Sequence, residues 1–276
     1  MQFVKQWIKY AFGRRLYKQQ LSAAAAQALA QHRLQWSGKT ASPLHEAAMD
    51  IFTYHGEDGI INYLVEKCPG INKRFADIGS GDCIKSNCAA LAVHGNWEGL
   101  FIDQDSRQLT IGRRFYSPMN REGRNLRFCE AAVTPGNINE LLEANGLSNE
   151  IGLLSIDIDG NDYWIWEAIS VVQPAIVVIE AKVEFGTGDY LVCYGPANHR
   201  AADPQYNGAS VSVLCRLAAQ KGYKLAGANK QGYNLFFVRE AFSIPEVNAA
   251  DVLKDPETIR SFYPEEFFSS HKFEQR

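Results

Sequence analysis

The chain has 276 residues, of which 46% are hydrophobic and 21% are charged, so it can bury a core of ordinary size as one large domain with an extension. Its six cysteines are scattered without a Cys-x-x-Cys pair, which argues against a zinc site and a disulfide framework. The sequence shows no signal peptide, no apolar run of membrane-spanning length and no clustered basic-aromatic groove. We therefore expect a cytoplasmic protein that does not bind nucleic acid.

The net charge of −3 is unevenly distributed along the chain. The first acid is Glu46, and seven lysines and arginines precede it. The stretch 2–35 lacks proline and contains an alanine-rich run, which predicts a helix, and 37–43 reads as a linker. Residues 1–43 are thus predicted to form a basic helical arm. Three contacts stay open for it: an anionic membrane surface, a second copy of the chain, or its own domain.

The stretch 74–87 reads RFADIGSGDCIKSN and predicts a strand, a glycine-rich turn and a helix over Ile84–Val93. A dinucleotide fingerprint, Gly-x-Gly-x-x-Gly, would require glycine at position 84, where isoleucine stands. The acid at Asp77, directly before the turn, suits a cationic ligand better than a pyrophosphate. S-adenosylmethionine (SAM) is such a ligand, because it carries an ammonium and a sulfonium group. An ordinary strand-to-helix turn is the alternative.

Beyond this turn, apolar runs alternate with amphipathic ones. Strands are predicted at 99–102, 126–129, 153–156 and 175–179, and helices at 60–67, 138–145 and 211–220. The last two runs, 223–228 and 233–238, are joined so closely that they must pair antiparallel. The predicted fold is therefore α/β, with a mostly parallel sheet, helices on both faces and an antiparallel terminal hairpin. It spans residues 44–240, and 241–276 is predicted as a tail packed on it.

In its motifs the chain resembles the class I SAM-dependent methyltransferases, and within them the FkbM-like group. The resemblance covers 54–239 and is carried by YHGEDGI, DIGSGD, FIDQD, NINELL, LLSIDIDGNDYWIWEAI, VVIEA and the terminal hairpin. It implies a seven-stranded Rossmann-like sheet, SAM as cofactor, and O-methylation of a sugar or glycan-like acceptor. Two alternatives remain: methylation of a nitrogen or a small metabolite, and a non-catalytic SAM-fold binding or scaffold protein. The second is motivated by Ala181-Lys182-Val183, where the resemblance implies a more polar stretch.

The resemblance also implies a set of cofactor contacts. The methionine end of SAM would lie on Asp77, Gly79, Ser80 and Gly81, the ribose on Asp103, and the adenine on Glu130 and Ala131, with Glu57 and Asp157 as further candidates. Structural roles are the alternatives: Asp103 and Glu57 can cap helices, and Glu130 can be a solvated loop residue.

A base for the acceptor hydroxyl must lie at the carboxyl ends of the strands, beside the sulfonium. That position selects the acids Asp157, Asp159, Asp162 and Glu180, of which Asp159 and Glu180 are the candidate bases. An insertion, 184–205, is expected to form an acceptor lid and carries a third candidate base, His199. Related sugar methyltransferases bind a divalent metal on acids at the ends of the fourth and fifth strands, which Asp157 and Glu180 match. Ala181 stands where a second acid is expected, so Mg²⁺ and a metal-free mechanism both remain open.

Overall fold

The protein is described by a computed structural model over residues 20–94, 96–120, 125–195 and 205–274. Seven strands form one sheet in the order β3-β2-β1-β4-β5-β7-β6. Their bounds are β1 (Arg74–Ile78), β2 (Glu98–Asp103), β3 (Leu126–Glu130), β4 (Asn149–Ile156), β5 (Val172–Glu180), β6 (Tyr223–Ala228) and β7 (Asn234–Arg239).

The first five strands are parallel, and β7 pairs antiparallel with both β5 and β6. This confirms the predicted fold class, a mostly parallel seven-stranded sheet with an antiparallel hairpin at one edge. The register brings the strand ends together: Asp103 lies beside Glu130, and Glu180 lies beside Asn234. The acids that end the apolar runs therefore lie close together at the carboxyl ends of the parallel strands.

Helices cover both faces of this sheet. They are α1 (20–36), α2 (Glu57–Lys67), α3 (Ala89–His94), α4 (Ser106–Asn120), α5 (Ile138–Ala144), α6 (Asp162–Ala168), α7 (Val211–Gln220), α8 (Pro256–Arg260) and α9 (Glu265–Ser270), with 3₁₀ turns at Leu44–Ala47, Val183–Phe185 and Ala249–Leu253. Because side chains alternate along a strand, Phe75 packs with α1 to α4 on one face. Ala76 and Ile78 pack with α5 to α7 on the other.

The helix predicted over Ile84–Val93 is shorter than expected and begins at Ala89. Polar side chains bind the backbone before it: the Asp82 carboxylate accepts the N–H groups of Ile84 and Lys85, both at 2.9 Å. The Ser86 hydroxyl donates to Asp77 instead of facing solvent. Such local bonds compete with helical ones, so residues 82–88 form an irregular loop.

The described part of the predicted arm is helical and packs on its own domain. Ala25 and Leu29 are buried in the core beneath α1. His32 donates from Nε2 to the carbonyl oxygen of Ala47 at 2.8 Å, and the Asn62 amide donates to the carbonyl oxygen of Leu29 at 3.2 Å. Residues 1–19 lie outside the described part of the chain, so the membrane and second-copy contacts of the arm remain predictions.

Over the residues that the structure describes, no helix combines the length and the apolar character needed to cross a membrane. The cytoplasmic location and the boundaries at residues 43 and 240 remain predictions.

Candidate active site

The glycine turn after β1 lies directly against the backbone that follows β4. Gly79 has a φ of 83°, and a Cβ atom there would lie 1.7 Å from the carbonyl oxygen of Asp157. Only glycine fits, because any side chain would collide with the end of β4. The Gly81 N–H donates to Asp103 Oδ2 at 2.8 Å, and the Asp105 N–H donates to Asp103 Oδ1 at 2.8 Å. Asp103 therefore fixes the turn while its carboxylate lies at the end of β2.

Asp77 is buried directly beneath this turn. Burial raises the pKa of its carboxyl from 3.8 to about 6, and the charge of Asp103 also raises it. Hydrogen bonds from Ser86 and Ser155 lower the pKa but do not cancel the effect of burial. Ser155 Oγ in turn accepts from the Asn87 amide at 3.1 Å. The site thus holds a carboxyl whose negative charge is costly to keep without a cation nearby.

A cavity of about 670 Å³ opens over the carboxyl ends of β1 to β4. Its lining includes Gly79, Gly81, Asp103, Ala131, Thr134, Asp157, Asp159, Val192, Cys193, Tyr194, Gly195, Tyr206 and Asn207. The described residues that line it include three carboxylates and neither lysine nor arginine. Six residues predicted from the sequence are therefore brought to one cavity: Gly79, Gly81, Asp103, Ala131, Asp157 and Asp159.

Three other predicted residues are placed differently. Ser80 is buried, and its hydroxyl donates to the carbonyl oxygen of Ile102 at 3.3 Å. Glu130 is exposed at the end of β3 and lies outside the lining of the cavity. His199 falls outside the described residues. The roles of these three in binding or catalysis remain predictions.

Glu57 makes structural contacts in the core. It is buried, and its Oε1 accepts from the amides of Asn229 at 2.9 Å and Asn234 at 3.0 Å. Its Oε2 accepts from the His55 N–H at 3.1 Å. The carboxylate therefore ties the start of α2 to the terminal hairpin, and it does not line the cavity.

An acidic cluster adjoins the cavity where β4 and β5 end. Asp157, Asp159 and Glu180 each offer a carboxylate oxygen within 4.8 Å of the others. Burial raises the pKa of Glu180 well above its usual range, the charges of Asp157, Asp162 and Asp159 add to this, and Lys182 opposes it. Glu180 therefore binds a proton more readily than an ordinary glutamate does.

A tight loop brings Asp159 into the cluster. The Asp162 carboxylate accepts the N–H groups of Ile158 and Gly160, both at 2.8 Å, and Asp159 adopts a φ of 61°. Left-handed backbone of this kind is tolerated best by Asp, Asn and Gly. Asp159 is thereby the third carboxylate of the cluster, whereas position 181, where the resemblance implies an acid, is an alanine. The signal for Asp159 was the IDIDGND motif, whose Asp-Gly-Asn-Asp order is typical of a turn.

No family model and no curated protein sequence matches the chain. Among solved structures, it is similar to an O-methyltransferase family protein from Burkholderia thailandensis, with 10% identity, a TM-score of 0.41, and 68% of this chain and 60% of that one covered. It is also similar to an O-methyltransferase from neocarzinostatin biosynthesis, with 17% identity, a TM-score of 0.36, and coverage of 60% and 49%.

A third similar structure is magnesium protoporphyrin IX methyltransferase from Synechocystis PCC 6803, with 12% identity, a TM-score of 0.44, and coverage of 67% and 81%. The chain thus spans less than two thirds of the first two proteins and most of the third. Scores of this size carry no argument about activity. The fold class rests on the strand order and pairing given above.

Proposed function

We propose that the chain is a SAM-dependent methyltransferase that methylates a hydroxyl group of a sugar or glycan-like acceptor. The observation that carries the proposal is the charge of the cavity. Asp103, Asp157 and Asp159 line it without a lysine or arginine among the described lining residues. Carboxylates in a partly enclosed site repel a pyrophosphate and attract an ammonium or a sulfonium group.

The loop after the glycine turn supports the same conclusion. Pyrophosphate sites rely on a helix whose N-terminal N–H groups meet the phosphate directly after such a turn. Here residues 82–88 separate the turn from α3, which has only six residues. The buried Asp77 beneath the turn adds negative charge at the point where a phosphate would need positive charge.

The residues present fit the cofactor. Gly79 lets the turn pass close to the end of β4, and a Cβ on Gly81 would meet no atom within 4 Å, so the space beside Gly81 is open. Asp103 offers a carboxylate at the strand end where a ribose diol is held in nucleotide-binding folds. The volume of about 670 Å³ lies within the usual range for ligand pockets. Asp157 would face the charged methionine end, Asp77 would add its charge from beneath the turn, and Ala131 would contact the base.

The cofactor supplies an electrophilic methyl group when it is bound. The chain must then align the acceptor oxygen and remove its proton. Glu180 suits the second task, because its raised pKa makes the carboxylate a stronger base than an ordinary glutamate. Asp159 is the second candidate base, and His199 stays a predicted one. Asp157 orients the acceptor hydroxyl from the neighbouring strand end.

A divalent cation also fits this cluster. Three carboxylate oxygens within 4.8 Å of one another form a hard donor set of the kind that binds Mg²⁺. Asp157, Asp159 and Glu180 would hold the ion, which would lower the pKa of the acceptor hydroxyl. We favour the metal-free form and expect methyl transfer to continue in excess chelator. Loss of activity there, with recovery on adding Mg²⁺, would assign the metal form instead.

The outer side of the cavity supports a polyhydroxylated acceptor. Asn161 and Asn207 contribute amides that both donate and accept hydrogen bonds, and Tyr194 and Tyr206 contribute ring faces with hydroxyl groups. A sugar presents alternating hydroxyl groups and C–H faces that match such a surface.

The experiment uses SAM labelled in its methyl group, with cell extract and purified glycans as acceptors. Wild type should label a product whose methyl resists mild base, as an ether does. Glu180→Gln should transfer roughly 10² to 10⁴ times more slowly with unchanged SAM affinity, because it loses a positioned base. Glu140→Gln, on the exposed side of α5, is the matched control and should behave as wild type.

The remaining outcomes separate the alternatives. A label on nitrogen would replace the O-methylation proposal with the N-methylation alternative. Binding of SAM without any labelled product from any acceptor would favour a non-catalytic SAM-binding protein. Absence of binding to both SAM and its demethylated product would refute every form of the proposal.

A further inference from the structure

The outer wall of the cavity has little support from the sheet. We define this outer wall as Val192–Gly195 with Tyr206 and Asn207, all of which line the cavity. Within the described residues, its bonds to the sheet side of the domain include an isolated bridge between Leu191 and Ala209 and a bond from the Val192 N–H to the Gly208 carbonyl oxygen at 3.0 Å. The Trp164 indole also donates to the Val192 carbonyl oxygen at 3.2 Å, and the Asn161 amide donates to the Gly195 carbonyl oxygen at 2.8 Å. In the part of the chain that the structure describes, the wall therefore has no strand pairing within the main sheet, and a second set of contacts adds support from the carboxyl-terminal side.

The carboxyl-terminal segment, residues 263–274, supplies that support through its backbone. Val192 forms an antiparallel bridge with Phe273, and the Glu274 N–H donates to the Leu191 carbonyl oxygen at 2.8 Å. At its other end, the Tyr263 N–H donates to the Glu184 carbonyl oxygen at 2.8 Å. The segment therefore pairs with Leu191 and Val192, where the outer wall begins.

Tyr206 connects the same segment to the cavity. Its ring stacks on His271 with centroids 4.9 Å apart and planes at 24°. Its hydroxyl group donates to the carbonyl oxygen of Lys272. Tyr206 also lines the cavity, so one side chain touches both the ligand space and the carboxyl-terminal segment.

An aromatic cluster anchors the segment behind the wall. Phe185 is only 2% exposed and contacts Phe273 with ring centroids 5.5 Å apart. Tyr190, two residues before Val192, stacks on Phe268 at 4.0 Å. Packed ring pairs of this kind are directional as well as apolar, so they fix the relative position of the two chain segments.

We propose that the carboxyl-terminal segment positions the outer wall over a bound nucleoside ligand, with Phe273 and Tyr206 as positioning residues, so that retention of the ligand depends on them. The inference rests on the proposed function for the identity of that ligand, the SAM class. No residue of the segment lines the cavity, so each acts through the wall.

The test uses the full chain with S-adenosylhomocysteine as the probe. In Phe273→Ala, we expect the ligand to dissociate at least fivefold faster in stopped-flow measurements, and amides 190–195 to exchange hydrogen at least tenfold faster. Phe273→Leu should return both the dissociation rate and the amide exchange rate most of the way to wild type, because leucine keeps an apolar side chain at this position. Ile259→Ala, which removes a half-exposed side chain of α8 outside the aromatic cluster, is the control and should match wild type.

Each result decides the proposal. Faster exchange at 190–195 with unchanged dissociation would show a merely structural contact and overturn it, as would wild-type exchange in Phe273→Ala. Exchange that is faster throughout the sheet in Phe273→Ala would indicate general unfolding. Tyr206→Phe is then measured instead, because it keeps the ring and removes only the bond to Lys272. Faster ligand dissociation in this variant would support the proposal, and wild-type dissociation would overturn it. If wild type does not bind the probe, the proposed function fails, and the exchange data alone decide whether the segment holds the wall.

Discussion

Replacing Asp77 by asparagine should make the unliganded protein more stable at neutral pH while it weakens SAM binding. Burial raises the pKa of this carboxyl from 3.8 to about 6. At about 1.4 kcal/mol for each unit of pKa, keeping the charge in the folded state costs roughly 3 kcal/mol at pH 7.5. Asparagine has nearly the same shape and no charge, so Asp77→Asn should recover about 2–3 kcal/mol.

The sign of the pH dependence follows from proton binding. Between pH 3.8 and about 6 the folded protein holds this proton more tightly than the unfolded chain, so the contribution of Asp77 to stability falls as the pH rises. Thermal unfolding should show Asp77→Asn melting roughly 5–10 °C above wild type at pH 7.5. The stability difference should shrink to about 0.5 kcal/mol near pH 4, where the folded carboxyl is protonated and the unfolded one is about half protonated, and should vanish below about pH 3.

A cationic ligand should reverse the order of the two proteins. Saturating SAM should raise the melting temperature of wild type more than that of Asp77→Asn, because only the aspartate interacts with the positive charge of the ligand. An asparagine variant that is less stable than wild type at pH 7.5, or a stability difference that does not change between pH 4 and 7.5, would refute this reasoning. Glu140→Gln, on the exposed side of α5, is the control.

Three further predictions test the frame of the site. Gly79→Ala should destabilise the fold by about 3 kcal/mol or more in chemical denaturation, because its Cβ would overlap the Asp157 carbonyl oxygen; a stable variant would contradict the turn geometry. Asp103→Ala should weaken SAM binding roughly tenfold or more in calorimetry. It should also lower the melting temperature by a few degrees, because the carboxylate accepts two backbone N–H groups. Unchanged affinity would show that Asp103 has only a structural role. Leu29→Ala should cost about 2–4 kcal/mol of stability without affecting SAM affinity, because the side chain is 5% exposed beneath α1; an unchanged midpoint would mean that the helix does not contribute to the core.

The sheet could be predicted from the sequence because each apolar run is short and most of them end on an acid. Such runs identify buried parallel strands almost independently of their partners. The terminal hairpin followed from its short connection, which allows only antiparallel pairing. The start of α3 could not be predicted, because the apolar spacing of 84–93 is helical and only the local bonds of Asp82 and Ser86 interrupt it.

The candidate site was predicted in part for the same physical reason. Asp103 and Asp157 follow strands, so the sheet alone places them together at one edge. Glu57 could not be located, because its partners Asn229 and Asn234 are far away along the chain. The carboxyl-terminal segment was predicted only to pack on the domain, since its aromatic residues show no periodicity that would indicate a contact with the cavity wall.

Calorimetry with SAM and with NAD tests the central claim most directly, that the acidic cavity takes a cationic nucleoside and excludes a pyrophosphate. The account predicts saturable heat with SAM at one site per chain, competition by S-adenosylhomocysteine, and no heat with NAD at the same concentrations. Binding of NAD without binding of SAM would contradict this claim, because the cavity lined by Asp103, Asp157 and Asp159 would then accept a pyrophosphate despite its negative charge.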